Sequence, residues 1–118
     1  MCMNNTILTK KDIIAINQKF AEGYFENESG LDYALSLLKH NISWTKKAAY
    51  LIRAILIDNS FVNGNKRSAY SVLMACVELN SYSIEEKKAV NIIKEIVTKN
   101  RKSVARIQRM IEDDITKK

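Results

Sequence analysis

Three observations predict an all-α fold, a compact bundle of about six helices forming one domain over residues 1–118. The chain has no Pro and only three Gly in 118 residues, so little interrupts long helices. Apolar residues make up 47% of it and recur at spacings of three and four rather than in alternation. Ser or Thr stands just ahead of several of these apolar runs, where a helix N-cap belongs. The length supports one core and is too short for two.

The elements follow in order. Thr9 with Asp12 is a capping-box variant, and Ile13, Ile16 and Phe20 at helical spacing predict a first helix over about 9–22. Residues 23–30 read as a polar connector carrying Tyr24 and Phe25. Ser29 is the expected cap of a second helix, Leu31 to about Lys39, with Leu31, Ala34, Leu35 and Leu38 on one stripe. His40 at its end is read as complementing the helix dipole, with entry into a functional site as the alternative. Ser43 caps a third helix that is apolar on nearly every side from Ala48 to Ile57 and therefore central. A fourth, about Asn65 to Asn80, must pack antiparallel to it, because the connection is short. Ser83 with Glu86 predicts a capping box for a fifth helix bearing Ala89, Ile92, Ile93, Ile96 and Val97. Ser103 caps a sixth with Val104, Ile107, Met110, Ile111 and Ile115. No strand, repeat or linker is expected.

Composition narrows the function classes. The apolar runs are too short to span a membrane, and the N-terminus lacks the charged-then-apolar pattern of a secretory signal, so a cytoplasmic location is expected. Cys2 and Cys76 form no disulfide framework; Cys2 is expected in a frayed terminus and Cys76 as a small buried hydrophobe. One His leaves too few soft ligands for zinc. The formal charge of +6 suits an acidic or phosphate-bearing partner, although an excess of Lys and Arg is often only a solvated surface. Arg101, Lys102, Arg106 and Arg109 make the last connection and helix basic, but no aromatic is interleaved and Glu112, Asp113 and Asp114 follow, so a nucleic-acid surface is disfavoured.

The polar stretch Asp58-Asn-Ser-Phe-Val-Asn-Gly-Asn-Lys-Arg67, set between the two most apolar helices, is the candidate site. Gly64 suits a tight turn, and Asn65, Lys66 and Arg67 open the next helix. Free N–H groups and the positive end of the macrodipole favour an anion there. Two cations in that same first turn oppose the dipole unless something negative, such as a phosphate, sits among them. The alternative is a solvated turn whose basic residues face water.

Residues 59–69, Asn-Ser-Phe-Val-Asn-Gly-Asn-Lys-Arg-Ser-Ala, resemble the signature of the Fic/Doc superfamily, His-x-Phe-x-Asp/Glu-Gly-Asn-x-Arg, in the form of death-on-curing (Doc) toxins. The resemblance extends to Ile7–Ile14, Leu31–Leu35 and Lys47–Ala49. It implies a compact helical protein that transfers a phosphoryl or nucleotidyl group from ATP or another nucleoside triphosphate, with Mg2+, to a protein hydroxyl. For Doc relatives the target is a translation elongation factor and control comes from an antitoxin. It also implies phosphate-binding roles for Gly64, Asn65, Lys66 and Arg67, and an anchoring role for Phe61. Two positions depart from the pattern: Asn59 stands at the catalytic His, and Asn63 at the acid that holds the metal. An amide cannot act as general base, a loss of about a hundredfold to ten-thousandfold in rate, and it removes the charge that tightens a hard-cation site. A His is frequent in the family where Asn17 stands; as a polar residue on a helix flank, Asn17 is expected to be solvated. The readings left open are a catalytically impaired transferase, a non-catalytic nucleotide- or protein-binding pseudoenzyme, and a basic nucleic-acid-binding module.

Overall fold

A computed structural model describes residues 8–118. Cys2 and the start of the Ile7–Ile14 segment lie outside the described residues. Among these residues six α-helices carry the fold: α1 (Lys10–Asn17), α2 (Glu28–Ser36), α3 (Trp44–Leu56), α4 (Asn65–Leu79), α5 (Glu86–Thr98) and α6 (Val104–Asp114). A 3-10 turn, Leu37–Lys39, extends α2.

Helix α3 is the axis of the bundle. Eight of its thirteen residues are buried, on more than one face, because α2, α4 and α6 all pack against it. Helix α4 lies between α3, α1 and α5, with Ala69, Val72, Leu73, Cys76 and Val77 buried. Small residues at Ala48, Ala49 and Ala69, all fully buried, accompany this close packing. Helices α5 and α6 each bury a single stripe, Ala89, Ile92, Ile93 and Ile96 on one and Ile107 and Ile111 on the other. That narrower burial is what an outer helix of a bundle requires.

The caps at Thr9, Ser43 and Ser103 form as expected: each side-chain oxygen accepts an N–H of the following turn, and Asp12 completes the box at Thr9. Other boundaries differ. Helix α1 stops at Asn17 rather than running to residue 22, since its last carbonyls are taken up by tight turns through Phe20 and Ala21. Asn27, not Ser29, precedes α2, and the Ser29 hydroxyl donates to Asn27 Oδ1 instead. The Ser83–Glu86 box does not form; the N-cap of α5 is Glu85, without a side-chain bond. Ser83 belongs instead to a short strand, β1 (Tyr82–Ser83), paired antiparallel with β2 (Thr116–Lys117). This two-stranded pair corrects the strand-free expectation and ties the chain end to the α4–α5 connection, with Ser83 Oγ donating to the Thr116 carbonyl.

Cys76 is buried, and burial pushes its thiol up to about 12, so it is an inert core residue. Among the described residues no helix is long and apolar enough to cross a membrane.

Candidate functional site

The connection from α3 to α4 is held from three sides. From below, Ser60 is fully buried and its hydroxyl donates to the Ala54 carbonyl, while Phe61 is 1% exposed in the core. From one flank, the segment after α1 runs beside it as a short antiparallel bridge between Phe25 and Phe61. Glu26 N–H and Asn27 N–H both donate to the Ser60 carbonyl, and Val62 N–H donates to the Tyr24 carbonyl. The rings of Phe25 and Phe61 stack at 5.0 Å and 16°. From within, Asn65 spends its side chain on the loop: its Oδ1 accepts from Phe61 N–H at 3.0 Å and its Nδ2 donates to the Phe61 carbonyl at 2.8 Å.

A fourth support is Asn17. It is fully buried, contrary to the solvated reading, and all of its polar capacity points at the loop and its neighbours. Nδ2 donates to the Asn63 carbonyl and to the buried Ser68 hydroxyl, each at 2.9 Å, and Oδ1 accepts from Gly23 N–H at 2.9 Å. A residue that local pattern places on a helix flank thus joins α1, the loop and α4. The only sequence signal was its place in the family resemblance; periodicity carries no trace of a contact across so many residues.

Gly64 is the N-cap of α4 with φ +79, the left-handed region that glycine occupies without strain. A Cβ there would sit 3.1 Å from Asn17 Nδ2 and 3.3 Å from Ala21 Cβ, so the turn also needs the space. No side chain caps α4 and no acid lies in its first turn. The helix therefore starts with free amides, two cations and no negative charge to match them.

Beside this turn lies a cleft of about 500 Å³ bordered by Asn59, Asn63, Gly64, Asn65, Lys66 and Arg67, with Phe20, Leu56, Val62 and Val97 completing the wall. The structure thus brings together six of the seven motif residues singled out from the sequence. Phe61 is beneath them, as a buried support. Lys66 and Arg67 are exposed and neither meets a carboxylate among the described residues; the Arg67 guanidinium lies 5.9 Å from the centre of the Phe20 ring. Asn59 is exposed with φ 50, a conformation to which Asn is better suited than most residues. His40 is an exposed cap of the 3-10 turn and does not border this cleft, so it is no substitute base.

The cleft wall contains two cations and no carboxylate, which suits an anion and gives a hard dication no charged ligand. Among the described residues no group of three His, Cys, Asp or Glu side chains is placed to hold a metal. The residues present do not fit the expected Mg2+.

The other basic cluster is of a different kind. Arg101 Nε and Arg106 Nη2 lie 3.3 and 3.8 Å from Glu95 Oε2, and Lys102 gives its carbonyl to Arg53 Nε at 2.7 Å. Its charge is partly compensated within the fold, while Lys102, Arg106 and Arg109 stay exposed.

No protein-family model, curated protein or solved structure matches this chain.

Proposed function

We propose that the chain is a Doc-type relative of the Fic/Doc transferases that keeps an anion-binding cleft for a nucleoside triphosphate and has lost most of its transfer chemistry. The observation that carries this reading is the wall of the cleft: free amides at the start of a fifteen-residue helix, Lys66 and Arg67 without carboxylate partners, and no general base or acid among the described residues. In this reading Lys66 and Arg67 hold phosphate oxygens through charge-assisted hydrogen bonds. Gly64 allows the close approach of the backbone, and Asn65 keeps the turn in shape rather than touching the ligand, since its amide is already engaged with Phe61. Asn59 borders the place where an acceptor hydroxyl would lie, and it has no basic lone pair to take the proton.

The pseudoenzyme reading is favoured by the same two amides, since Asn59 removes the base and Asn63 the metal ligand. An elongation factor and an antitoxin remain the proposed target and regulator, on the resemblance alone. The nucleic-acid module loses ground because Arg101 and Arg106 both lie beside Glu95.

Calorimetric titration with ATP tests the cleft. Lys66→Ala and Arg67→Ala should each weaken binding by about tenfold or more, from the usual worth of a hydrogen bond to a charged group. Binding that is absent, or indifferent to both changes, removes the nucleotide. Asn59→His combined with Asn63→Asp tests the ancestry by transfer of labelled phosphate or nucleotide and by growth arrest. Gain of either is expected; a silent double variant that still binds ATP supports a pure binding protein.

A further inference from the structure

We propose that the groove between α4 and α5 binds a free single-chain amphiphile with an anionic head, its head at Lys66 and Arg67 and its alkyl chain along Tyr70, Val90, Ile93 and Val97. This groove, of about 600 Å³, is separate from the cleft at the motif loop and larger, but the two share Phe20, Lys66, Arg67 and Val97 as a common wall.

The lining decides the ligand class. Apart from the Tyr70, Ser71 and Thr98 hydroxyls, the groove away from its cationic residues is hydrocarbon and aromatic ring. Val90 and Phe20 are 51% and 39% exposed, and both border this cavity. Every charged residue in the lining is a cation, Lys66, Arg67 and Lys94, so the apolar channel is bordered by positive charge without a carboxylate. A nucleobase laid there would lose water from its polar edge and find few partners, whereas an alkyl chain loses only water that is better released. A single alkyl chain can lie along this space with most of its length in contact with the lining, whereas a partner helix, about 10 Å across, would seat only one face there. The volume falls within the ordinary range for a small ligand.

The shared wall makes the two ligands competitors. An anionic head at Lys66 and Arg67 occupies the cations that the nucleotide reading assigns to phosphate. The inference rests on that pair attracting an anion, but its chain-binding half stands on α5, which the nucleotide does not need.

Calorimetry with inorganic phosphate, hexyl phosphate and decyl phosphate, the last below its micelle concentration, separates head from chain. Full burial of one methylene strengthens binding by about fourfold. In an open groove about half of that effect is expected, so decyl phosphate should bind at least tenfold tighter than hexyl phosphate with one-to-one stoichiometry. Val90→Glu, on an exposed helical position, should erase the chain-length dependence and leave both the circular dichroism spectrum and ATP binding unchanged. Equal affinity for the two chain lengths overturns the proposal, as does a dependence that survives Val90→Glu or a stoichiometry well above one. So does binding only to vesicles containing an anionic phospholipid, which would make the surface a membrane contact. If ATP fails to bind while decyl phosphate behaves as expected, the amphiphile site stands and the nucleotide reading falls; the reverse result leaves only the nucleotide.

Discussion

Residues 58–67 and residues 99–103 are both polar helix connections, both contain an Asn in the left-handed region, Asn59 at φ 50 and Asn100 at φ 51, and both lead into a helix with basic residues. They differ in where their polar groups are directed. In the second, Arg101 and Arg106 turn back to Glu95 and the Lys102 carbonyl accepts from Arg53, so part of the charge and of the main chain is engaged inside the fold. In the first, apart from the Arg53–Asp58 ion pair at its start, uncharged groups do the holding: Asn17, Ser60, Ser68 and the Asn65 amide fix the backbone, and Lys66 and Arg67 take no part. A turn whose two cations are not needed to hold it leaves them available for something else. That separation of support from charge distinguishes the candidate site, residues 58–67, from residues 99–103, which act as a joint.

The largest test of the contrast is the support itself. Asn17→Leu keeps an apolar body in the core but leaves the Gly23 N–H, the Asn63 carbonyl and the Ser68 hydroxyl without their partner. Only the Ser68 contact is fully buried and the other two are part-buried, so at about 1–3 kcal/mol for a buried group left unpaired the expected loss is about 2–3 kcal/mol. Urea denaturation measures it, and a loss under about 1 kcal/mol would mean that the loop holds itself without α1. Gly64→Ala comes next, with about 1–2 kcal/mol for a Cβ in the left-handed region, increased by crowding against Asn17 Nδ2 at 3.1 Å. The same variant should weaken any anion bound at the turn, and a stable variant with full ATP binding would refute the claim that the turn needs glycine.

These supports divide between what a sequence displays and what it conceals. The bundle was legible because a buried helix writes its partners locally, in the spacing of Ile92, Ile93 and Ile96 or in the all-round apolar character of α3. The loop's position was legible for the same reason, as a polar interruption between two such helices. Asn17 was not: its partners are Asn63 and Ser68, and no periodicity records a hydrogen bond between distant segments. The bridge from Phe25 to Phe61 was hidden likewise, since a single residue pair shows no alternation. Ser83 misled because a cap signature states only that a side chain is able to cap; pairing with Thr116 competes for the same backbone, and here it prevails. The absence of a carboxylate from the cleft was half legible. Residues 59–67 contain no acid, and the assembled wall shows that among the described residues no other element brings one to the cleft.

Opposite signs of small effects sharpen the comparison further. Lys66 opposes the dipole of α4 and has no carboxylate partner among the described residues, so Lys66→Ala should raise stability by about 0.3–1 kcal/mol in the absence of ligand. Arg106→Ala removes an exposed contact to Glu95 at 3.8 Å and should lower stability by at most about 1 kcal/mol. Paired thermal melts at low salt read both. Two variants that shift in the same direction would erase the distinction between free and compensated cations.

The smallest effect concerns a polar cluster remote from either connector, where α6 meets the start of α3. Thr45 is 5% exposed and donates to Glu112 Oε2 at 2.6 Å, while Gln108 Nε2 donates to the same oxygen at 3.0 Å. The Thr45 hydroxyl first, and Gln108 second, hold the Glu112 carboxyl below its ordinary 4.5. A carboxyl whose value falls on folding stabilises the protein above its unfolded value, and that contribution fades as pH drops through the folded value. Glu112 is exposed, so the contribution is small. Thr45→Val should therefore cost stability at pH 7 and progressively less below about pH 4, where the acid form no longer rewards a donor. Denaturation curves at pH 7, 5 and 3 decide it: a deficit that is constant across that range would assign the cost of losing the hydroxyl to packing against α6 and leave Glu112 with no part in it.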